Sequence, residues 1–358
     1  MDFRLSEDQR ALRAGMRDLL VARFPREKLR ESAEADPAKR APLDRALWRE
    51  LGEIGVFSLR LSEKEGGAGL GLPEAVLVFE EAGRALLPGP LAASHLAAGL
   101  VSGAADGTTV VTALEGAGLA EHLDSADAVL LCEGPTVRAF PVGDGAGPLA
   151  TARPLRSVDP TTPLHHLPEA HEVPCGAERA SRTGRLPVAG ASATATAAAV
   201  DPGRLRAEAA LLTAAQQLGS AARTLEMAVA HAKSRTQFGR PIGAFQAVQH
   251  LCARMLARTE IARSSVYAAS LAMTLGDISG AKLLADEAAV RNARDCLQLH
   301  GGLGFTWEAD VHLHLKRAWV RQAQWQSTER AEEALAAALL EGAGDCMTET
   351  ANRVNGAV

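Results

Sequence analysis

Two short segments in the C-terminal half of the chain carry side chains and glycines that could hold a phosphate group. Residues 235–246 read RTQFGRPIGAFQ, and residues 298–305 read QLHGGLGF. A planar guanidinium such as that of Arg235 can bind a pyrophosphate through two parallel hydrogen bonds, which a lysine cannot do. Gly301 and Gly302 lack a Cβ atom, so their backbone can approach a phosphate or an adenine ring closely. Taken singly, the arginine could instead satisfy carbonyls at a helix end, and the glycines could simply stop a helix.

A glycine-rich stretch at residues 65–73, EGGAGLGLP, also suggests a nucleotide-binding loop at first sight. Its spacing does not fit G-x-G-x-x-G, and no lysine followed by serine or threonine completes a P-loop. Pro73 suits the first turn of a following helix. The stretch is therefore predicted to be a surface turn.

The cysteines and histidines indicate no metal site. The five cysteines stand singly, without the close pairs that clamp a metal or form a redox dithiol, and they are predicted to be free thiols: Cys132, Cys175, Cys252, Cys296 and Cys346. His312 and His314 are two residues apart and would point to different sides of a helix.

The overall charge argues against nucleic acid as a partner. The chain has 38 basic and 43 acidic side chains, and its net charge of −5 provides no field for collecting DNA, RNA or anionic lipid. The N-terminus begins a charged helical pattern, not the basic cluster and apolar run of a signal peptide. No uncharged apolar stretch approaches the roughly 20 residues that cross a bilayer. We expect a cytoplasmic protein that binds neither nucleic acid nor membrane.

The elements that must position the two segments are mostly helical. Ser6 and Gln9 form a capping-box pattern ahead of apolar residues at helical spacing. Short apolar runs separated by Gly, Pro and Asp then predict a small β region, and its Ala/Ser/Thr-rich tail at residues 189–200 is interpreted as a loose linker. Long helical patterns with breaks at Pro241 and Gly276 predict a bundle. The predicted domains are an N-terminal helical domain (1–100), a reduced β domain (101–200), a C-terminal helical bundle (201–345) and a tail (346–358).

Together and in this order, the segments at 235–246 and 298–305 resemble those of acyl-CoA dehydrogenases. The order of elements is similar too, so the predicted fold class is mostly α, with an N-terminal helical domain, a small middle β domain and a C-terminal four-helix bundle. The resemblance implies FAD as the cofactor. In the family, these segments reach across a dimer interface to the FAD of the adjoining subunit. The cofactor-binding residues implied here are Arg235, Gln237, Phe238, Gln246, Gln298, Gly301 and Gly302.

The resemblance is weaker at the catalytic base. Family enzymes remove a proton α to the thioester carbonyl with a carboxylate while a hydride leaves the β carbon for the flavin. Many relatives carry that carboxylate in a Tyr-Glu-Gly-Thr segment, but residues 319–328 read WVRQAQWQST here. Other relatives place it in the first bundle helix, where Glu208 is the nearest acid, one residue and about 100° out of position. Glu208 is thus the candidate base, with a solvated acid in the first helical turns as the alternative; Glu308 and Asp310 are expected to fix structure.

The β region departs from the family as well. The family segments Thr-Glu-Pro-x-Ala-Gly-Ser-Asp and Lys-x-Trp-Ile-Thr-Asn line the flavin ring and the thioester, and neither has a counterpart. Residues 112–118, TALEGAG, stand where the first should be. Only residues 157–161, SVDPT, are similar to a segment of divergent members. The chain thus resembles the shortened subunit of a heteromeric enzyme, whose partner supplies the β domain and the base.

The predicted function is α,β-dehydrogenation of an acyl-CoA thioester by a flavin-dependent acyl-CoA dehydrogenase or a subunit of one. Two alternatives stay open. The chain could be a non-catalytic subunit that supplies FAD contacts across an interface, or a redox-neutral acyl-thioester enzyme on the same fold. The resemblance also implies a homo- or hetero-oligomer, arranged as a dimer of dimers, and an electron-transfer protein as acceptor.

Overall fold

A computed structural model describes residues 4–35, 43–115, 118–133, 136–142, 152–167, 196–198 and 200–340 of the chain. The helices are α1 (Glu7–Arg23), α2 (Arg26–Glu34), α3 (Arg45–Glu53), α4 (Leu72–Arg84), α5 (Leu91–Ala97), α6 (Pro202–Ser234), α7 (Gln246–Ala272), α8 (Leu275–His300), α9 (Val311–Ala323) and α10 (residues 328–340). The strands are β1 (Val111–Glu115), β2 (Leu119–Glu121), β3 (Ala128–Glu133), β4 (Thr136–Pro141), β5 (Arg153–Leu155), β6 (Leu164–His166), β7 (Thr196–Ala198), β8 (Thr236–Gln237) and β9 (Arg240–Pro241).

The N-terminal helices begin where the sequence predicts. The Ser6 side chain accepts from the Gln9 amide, and the Gln9 side chain accepts from the Ser6 amide, which confirms the predicted capping box. Pro73 lies in the first turn of α4, after the glycine-rich surface turn. Helix α4 is buried along most of its length and packs against α6, so one hydrophobic core joins the N-terminal helices to the bundle.

The crossing of α4 and α6 is close because both helices place a glycine there. A Cβ atom added to Gly219 would lie 1.8 Å from the carbonyl oxygen of Glu80, and one added to Gly83 would lie 2.0 Å from the Gln216 carbonyl oxygen. Neither position can accept a side chain unless the helices move apart. The two glycines therefore fix how α6 lies against the N-terminal domain.

The middle of the chain forms one mixed sheet with the strand order β5-β6-β2-β1-β3-β4-β7. Strands β1 and β3 are parallel, from Val111 opposite Ala128 to Leu114 opposite Leu131. The remaining neighbours are antiparallel. The sheet packs on α5 through a second, smaller core.

The linker interpretation of residues 189–200 is wrong for Thr196–Ala198. These residues form β7, which pairs with β4 from Val137 opposite Ala198 to Ala139 opposite Thr196. An edge strand needs only backbone pairing along one side, so small residues without an apolar pattern can form one. Of the rest of that stretch, only Val200 lies among the described residues. The predicted domain boundaries at residues 100, 200 and 345 stay predictions, and the predicted tail lies outside the described residues.

The mostly helical fold class with its small sheet is confirmed, and α6, α7, α8 and α9 form the core of the bundle. Among the cysteines, Cys132 and Cys296 are buried, Cys252 is half-buried, and all three are free thiols. Cys175 and Cys346 lie outside the described residues. None of the described helices contains an apolar, nearly uncharged stretch of membrane-spanning length.

Candidate functional site

The first predicted segment forms a hairpin at the end of α6. The Arg235 amide donates to the His231 carbonyl and ends the helix, and β8 and β9 then pair across a two-residue turn. Phe238 and Gly239 occupy that turn with φ of 52° and 77°, the positive values that a tight hairpin of this kind requires. Phe238 is 91% exposed, so the turn presents an aromatic ring to solvent. A non-glycine residue with positive φ costs energy, which marks this turn as a candidate functional feature.

The second predicted segment begins at the end of α8. Gly301 has φ 58° and ψ −136°, a conformation that residues with a side chain rarely adopt. A Cβ atom added to Gly301 or to Gly302 would meet nothing within 4 Å. Both glycines are exposed, so the backbone here is bare and open to a ligand or a second chain.

A pair of histidines brings the two segments together. The rings of His231, one turn before Arg235, and His300, just before Gly301, stack with centroids 4.1 Å apart at 19°. Burial and then the charges of His300 and Arg235 lower the pKa of His231, so this ring stays neutral near pH 7 and can stack without repulsion. The arginine and the glycine pair therefore lie at the same end of the bundle.

The other predicted cofactor residues are exposed at the same segments. Gln237 lies in β8, Gln246 is the first residue of α7, and Gln298 lies in the last turn of α8. The Arg240 guanidinium of β9 lies 4.3 Å from the centre of the Phe245 ring, and this contact stiffens the hairpin. Arg235 forms no ion pair with any described residue, so its charge is available. We call this surface, from Arg235 to Gln246 and from Gln298 to Gly302, the bundle-end site.

The cleft between the sheet and the bundle is closely packed beside Trp325. Trp325, in the connection from α9 to α10, packs against both the main core and the core beneath the sheet. Its neighbour Gln324 donates to Glu121 at 2.8 Å, and Gln326 donates to Ser279 at 2.8 Å. The space enclosed beside Trp325 measures only about 10 Å³, roughly one water molecule. That space is too small for a flavin ring or an acyl chain.

Glu208, the predicted base, is buried and ion-paired. Its carboxylate accepts from Arg60 at 2.8 Å and from Arg204 at 2.9 Å. Burial alone would raise the pKa of Glu208, but the hydrogen bonds and charges of the two arginines outweigh it and hold the pKa below its usual value. The alternative of a solvated acid is wrong, because the side chain is only 8% exposed. A carboxylate so stabilised is a weak base.

Two residues of the cleft were not predicted from the sequence. Burial raises the pKa of Glu121, against the opposing effects of Gln324 and Arg321. Glu121 is the last residue of the three-residue strand β2 and belongs to no motif, so no pattern in the sequence identifies it. The bulky Trp325 was visible in WVRQAQWQST, but its packing depends on two distant cores. Asp310, expected to fix structure, does so by accepting from Arg26 and Arg30 of α2.

No group of three His, Cys, Asp or Glu side chains that could hold a metal occurs in the part of the chain that the structure describes. His314 is buried and His312 half-buried on α9. The donor set of the bundle-end site, a guanidinium, amides and bare backbone, suits an anion and an adenine ring better than a cation.

Comparisons with known proteins identify matching family models and relatives. A family model described as "Acyl-CoA dehydrogenase, C-terminal domain" matches residues 205–354, and one described as "Acyl-CoA dehydrogenase, N-terminal domain" matches residues 6–109. Acyl-CoA dehydrogenase IpdE2 of Mycobacterium tuberculosis is 35% identical over 283 residues, which cover 77% of this chain and 80% of the relative.

Solved structures share the fold at low identity. A variant of the Tcur3481-Tcur3483 steroid ACAD superposes with a TM-score of 0.75 at 22% identity, covering 94% of this chain and 99% of that chain. The ChsE4-ChsE5 complex from Mycobacterium tuberculosis does so with a TM-score of 0.74 at 23% identity, covering 95% and 99%.

Proposed function

The chain belongs to the acyl-CoA dehydrogenase family, flavin-dependent oxidoreductases that act on CH–CH bonds, and we propose that it is the FAD-contacting subunit of a two-chain member. In this proposal, the bundle-end site holds the pyrophosphate and adenosine of an FAD whose ring lies in the partner chain. The partner supplies the base that acts on the acyl-CoA thioester. FAD, when bound, accepts the hydride that leaves the β carbon of the substrate.

The observation that carries the proposal is the meeting of an unpaired guanidinium and a bare glycine pair at one end of the bundle. Arg235 can bind a pyrophosphate through two parallel hydrogen bonds because no described carboxylate neutralises it. The backbone at Gly301 and Gly302 can approach a phosphate because nothing lies where a Cβ would be. These two features fit the pyrophosphate of FAD.

The remaining residues of the bundle-end site would fix the adenosine and the partner. The amides of Gln246 and Gln298 each offer donors and an acceptor to ribose or adenine. The exposed Phe238 ring offers a flat apolar surface, which would be buried against the ligand or the second chain.

The partner is inferred from the packing beside Trp325 and from the ion pairs of Glu208. The space beside Trp325 is too small for a flavin ring, and Glu208 is held ionised by two arginines. A dehydrogenase needs a base whose pKa lies nearer the working pH. We therefore assign the ring pocket and the base to the second chain, in line with the two-component ChsE4-ChsE5 complex that shares this fold. An electron-transfer protein as acceptor stays a prediction.

The experiment that tests the proposal is flavin retention by the co-purified complex. The chain is expressed with a family chain that carries the carboxylate base, and flavin is measured by absorbance after gel filtration. Arg235→Ala should lower the retained flavin at least tenfold, because it removes a charge-assisted contact to the pyrophosphate. Arg23→Ala is the matched control, since Arg23 is also exposed but lies on α1, paired with Glu50.

Two outcomes would contradict the proposal. If no complex of this chain is yellow, the chain does not contact FAD. If Arg235→Ala and Arg23→Ala complexes retain equal flavin and activity, the chain only stabilises its neighbour. Glu208→Gln in the same complex tests whether Glu208 or a carboxylate of the partner is the base. If turnover falls more than a hundredfold while the complex stays folded, Glu208 is the base.

A further inference from the structure

A larger cavity lies away from both the bundle-end site and the small space beside Trp325. Its volume is about 870 Å³, within the range of small-molecule sites. It is bounded by α2, α3, the segment from β5 to β6, and the start and middle of the α9 region. Its apolar lining comes from four parts of the chain: Phe24, Leu43, Leu47, Trp48, Leu87 and Trp307.

One wall of the cavity contains a buried hydrogen-bond donor without an acceptor. Trp48 is 1% exposed, and its Nε1 atom has no hydrogen-bond partner. The six-membered ring of Trp48 lies against Gly89, where an added Cβ would come within 2.4 Å of Cζ3. A buried indole N–H group normally donates a hydrogen bond, and the absence of an acceptor costs about 1–3 kcal/mol. The Nε1 atom is closed to solvent, so Trp48 contributes its ring to the cavity wall and not its N–H group.

A lysine on the opposite element supplies positive charge. The Lys316 ammonium lies 4.6 Å from the centre of the Trp307 ring, and it forms no ion pair within the described residues. The nearby acids are largely engaged: Asp44 accepts from Lys28, Glu34 from Arg30, and Asp159 from Arg317. Arg156, also on the lining, has no described carboxylate partner. Two cations of the lining, Lys316 and Arg156, thus have no carboxylate partner among the described residues, against one such acid, Glu31.

We propose that this cavity is a second ligand site, which takes a flat apolar molecule carrying one anionic group. The aromatic and aliphatic lining would cover the apolar body, and Lys316 would bind the carboxylate or sulfonate. The proposal is independent of the FAD assignment, because none of the lining residues belongs to the bundle-end site.

A pair of fluorescent probes tests this chemistry. 8-Anilino-1-naphthalenesulfonate has the apolar body and the anionic group, and N-phenyl-1-naphthylamine has the same body without the charge. The full chain should bind the sulfonate one to one and about tenfold more tightly than the uncharged probe, because only the sulfonate can make a charge-assisted contact. Lys316→Met should remove that difference, whereas Lys64→Met, at an exposed lysine just before the glycine-rich turn, should not.

A second variant locates the binding without disturbing the core. Val158 is 46% exposed at the rim of the cavity, so Val158→Trp should block entry and weaken both probes at least fivefold. Val21→Trp is the control, because Val21 is an exposed valine on α1 outside the cavity. If Val158→Trp leaves the affinity of both probes unchanged, or if the two probes bind equally to the unmodified chain, the proposal is overturned.

Discussion

His314 is buried on α9, where its Nδ1 atom lies 2.8 Å from the Ser220 hydroxyl. Burial, with the charges of nearby arginines, lowers the pKa of His314 to about 3. In the unfolded chain, a histidine titrates near pH 6.5. As the pH falls from about 6.5 towards 3, the unfolded state binds a proton that the folded state excludes, so the free energy of unfolding decreases. The same direction applies to His95 and His122, whose pKa values burial lowers to about 4 and about 3.

We expect His314→Gln to flatten this pH dependence. Between pH 6 and pH 5, a single excluded proton contributes a slope of about 1 kcal/mol per pH unit. Glutamine can keep a hydrogen bond to Ser220 but cannot titrate. Urea unfolding at several pH values measures the slope, and His250→Gln, at an exposed histidine of α7, should leave it unchanged. An unaltered slope for His314→Gln would mean that this histidine is not excluded from protonation.

At the scale of elements, the crossing of α4 and α6 depends on the absence of a side chain at Gly219. A Cβ there would lie 1.8 Å from the Glu80 carbonyl oxygen, so Gly219→Ala must push the helices apart. We expect a loss of about 3 kcal/mol or more in the free energy of unfolding. Gly15→Ala on α1 is the matched control, since nothing lies within 4 Å of its added Cβ.

The control should change stability in the opposite direction. Alanine has the higher helix propensity, so Gly15→Ala should stabilise the chain by about 0.5–1 kcal/mol. Denaturant melts of both variants give the two values. Equal effects at the two positions would show that α4 and α6 are not held in contact.

The stacked histidines are the structural link between the two halves of the bundle-end site. His300→Ala removes the ring that joins the end of α8 to the end of α6, so the arginine and the glycine pair would no longer be held side by side. We expect the FAD affinity of the two-chain complex to fall about tenfold, with little change in thermal stability. His300→Phe, which can still stack on His231, should restore most of it. If the His300→Phe and His300→Ala complexes bind FAD with the same affinity, the stacking does not position the bundle-end site.

The sequence predicts the fold at this scale because its signals are local. The capping box of Ser6 and Gln9 and the helical spacing of apolar residues involve neighbours in the chain, and the structure confirms them. The strand β7 lacks a pattern because only its backbone pairs. The stack of His231 on His300 and the packing of Trp325 join residues far apart in sequence, and no single-chain pattern encodes such contacts. The resemblance led to the two segments, and the geometry added what holds them together.

At the scale of the whole molecule, one buried ion pair ties the β region to the bundle. Arg317 of α9 donates to Asp159, which follows β5, and both side chains are buried. Asp159 also accepts from Thr161 and Thr162, and Arg317 donates to the Leu87 carbonyl at 3.2 Å. The pair thus connects the N-terminal domain, the sheet and α9 at one point. Burial alone would raise the pKa of Asp159, but Arg317 outweighs it and lowers the pKa.

Removing one partner of this pair should be worse than removing both. Asp159→Ala leaves the Arg317 guanidinium buried without its counter-charge, which costs about 3–5 kcal/mol. Asp159→Ala combined with Arg317→Leu removes both charges and should recover part of that loss. Glu287→Ala, which breaks the exposed pair of Glu287 and Arg291 on α8, should change stability by less than about 1 kcal/mol.

Thermal unfolding ranks the three variants, and hydrogen exchange shows where Asp159→Ala acts: faster exchange should appear at residues 157–162 and along α9 together. Faster exchange in only one of these would show that the sheet and the bundle are not coupled through this pair.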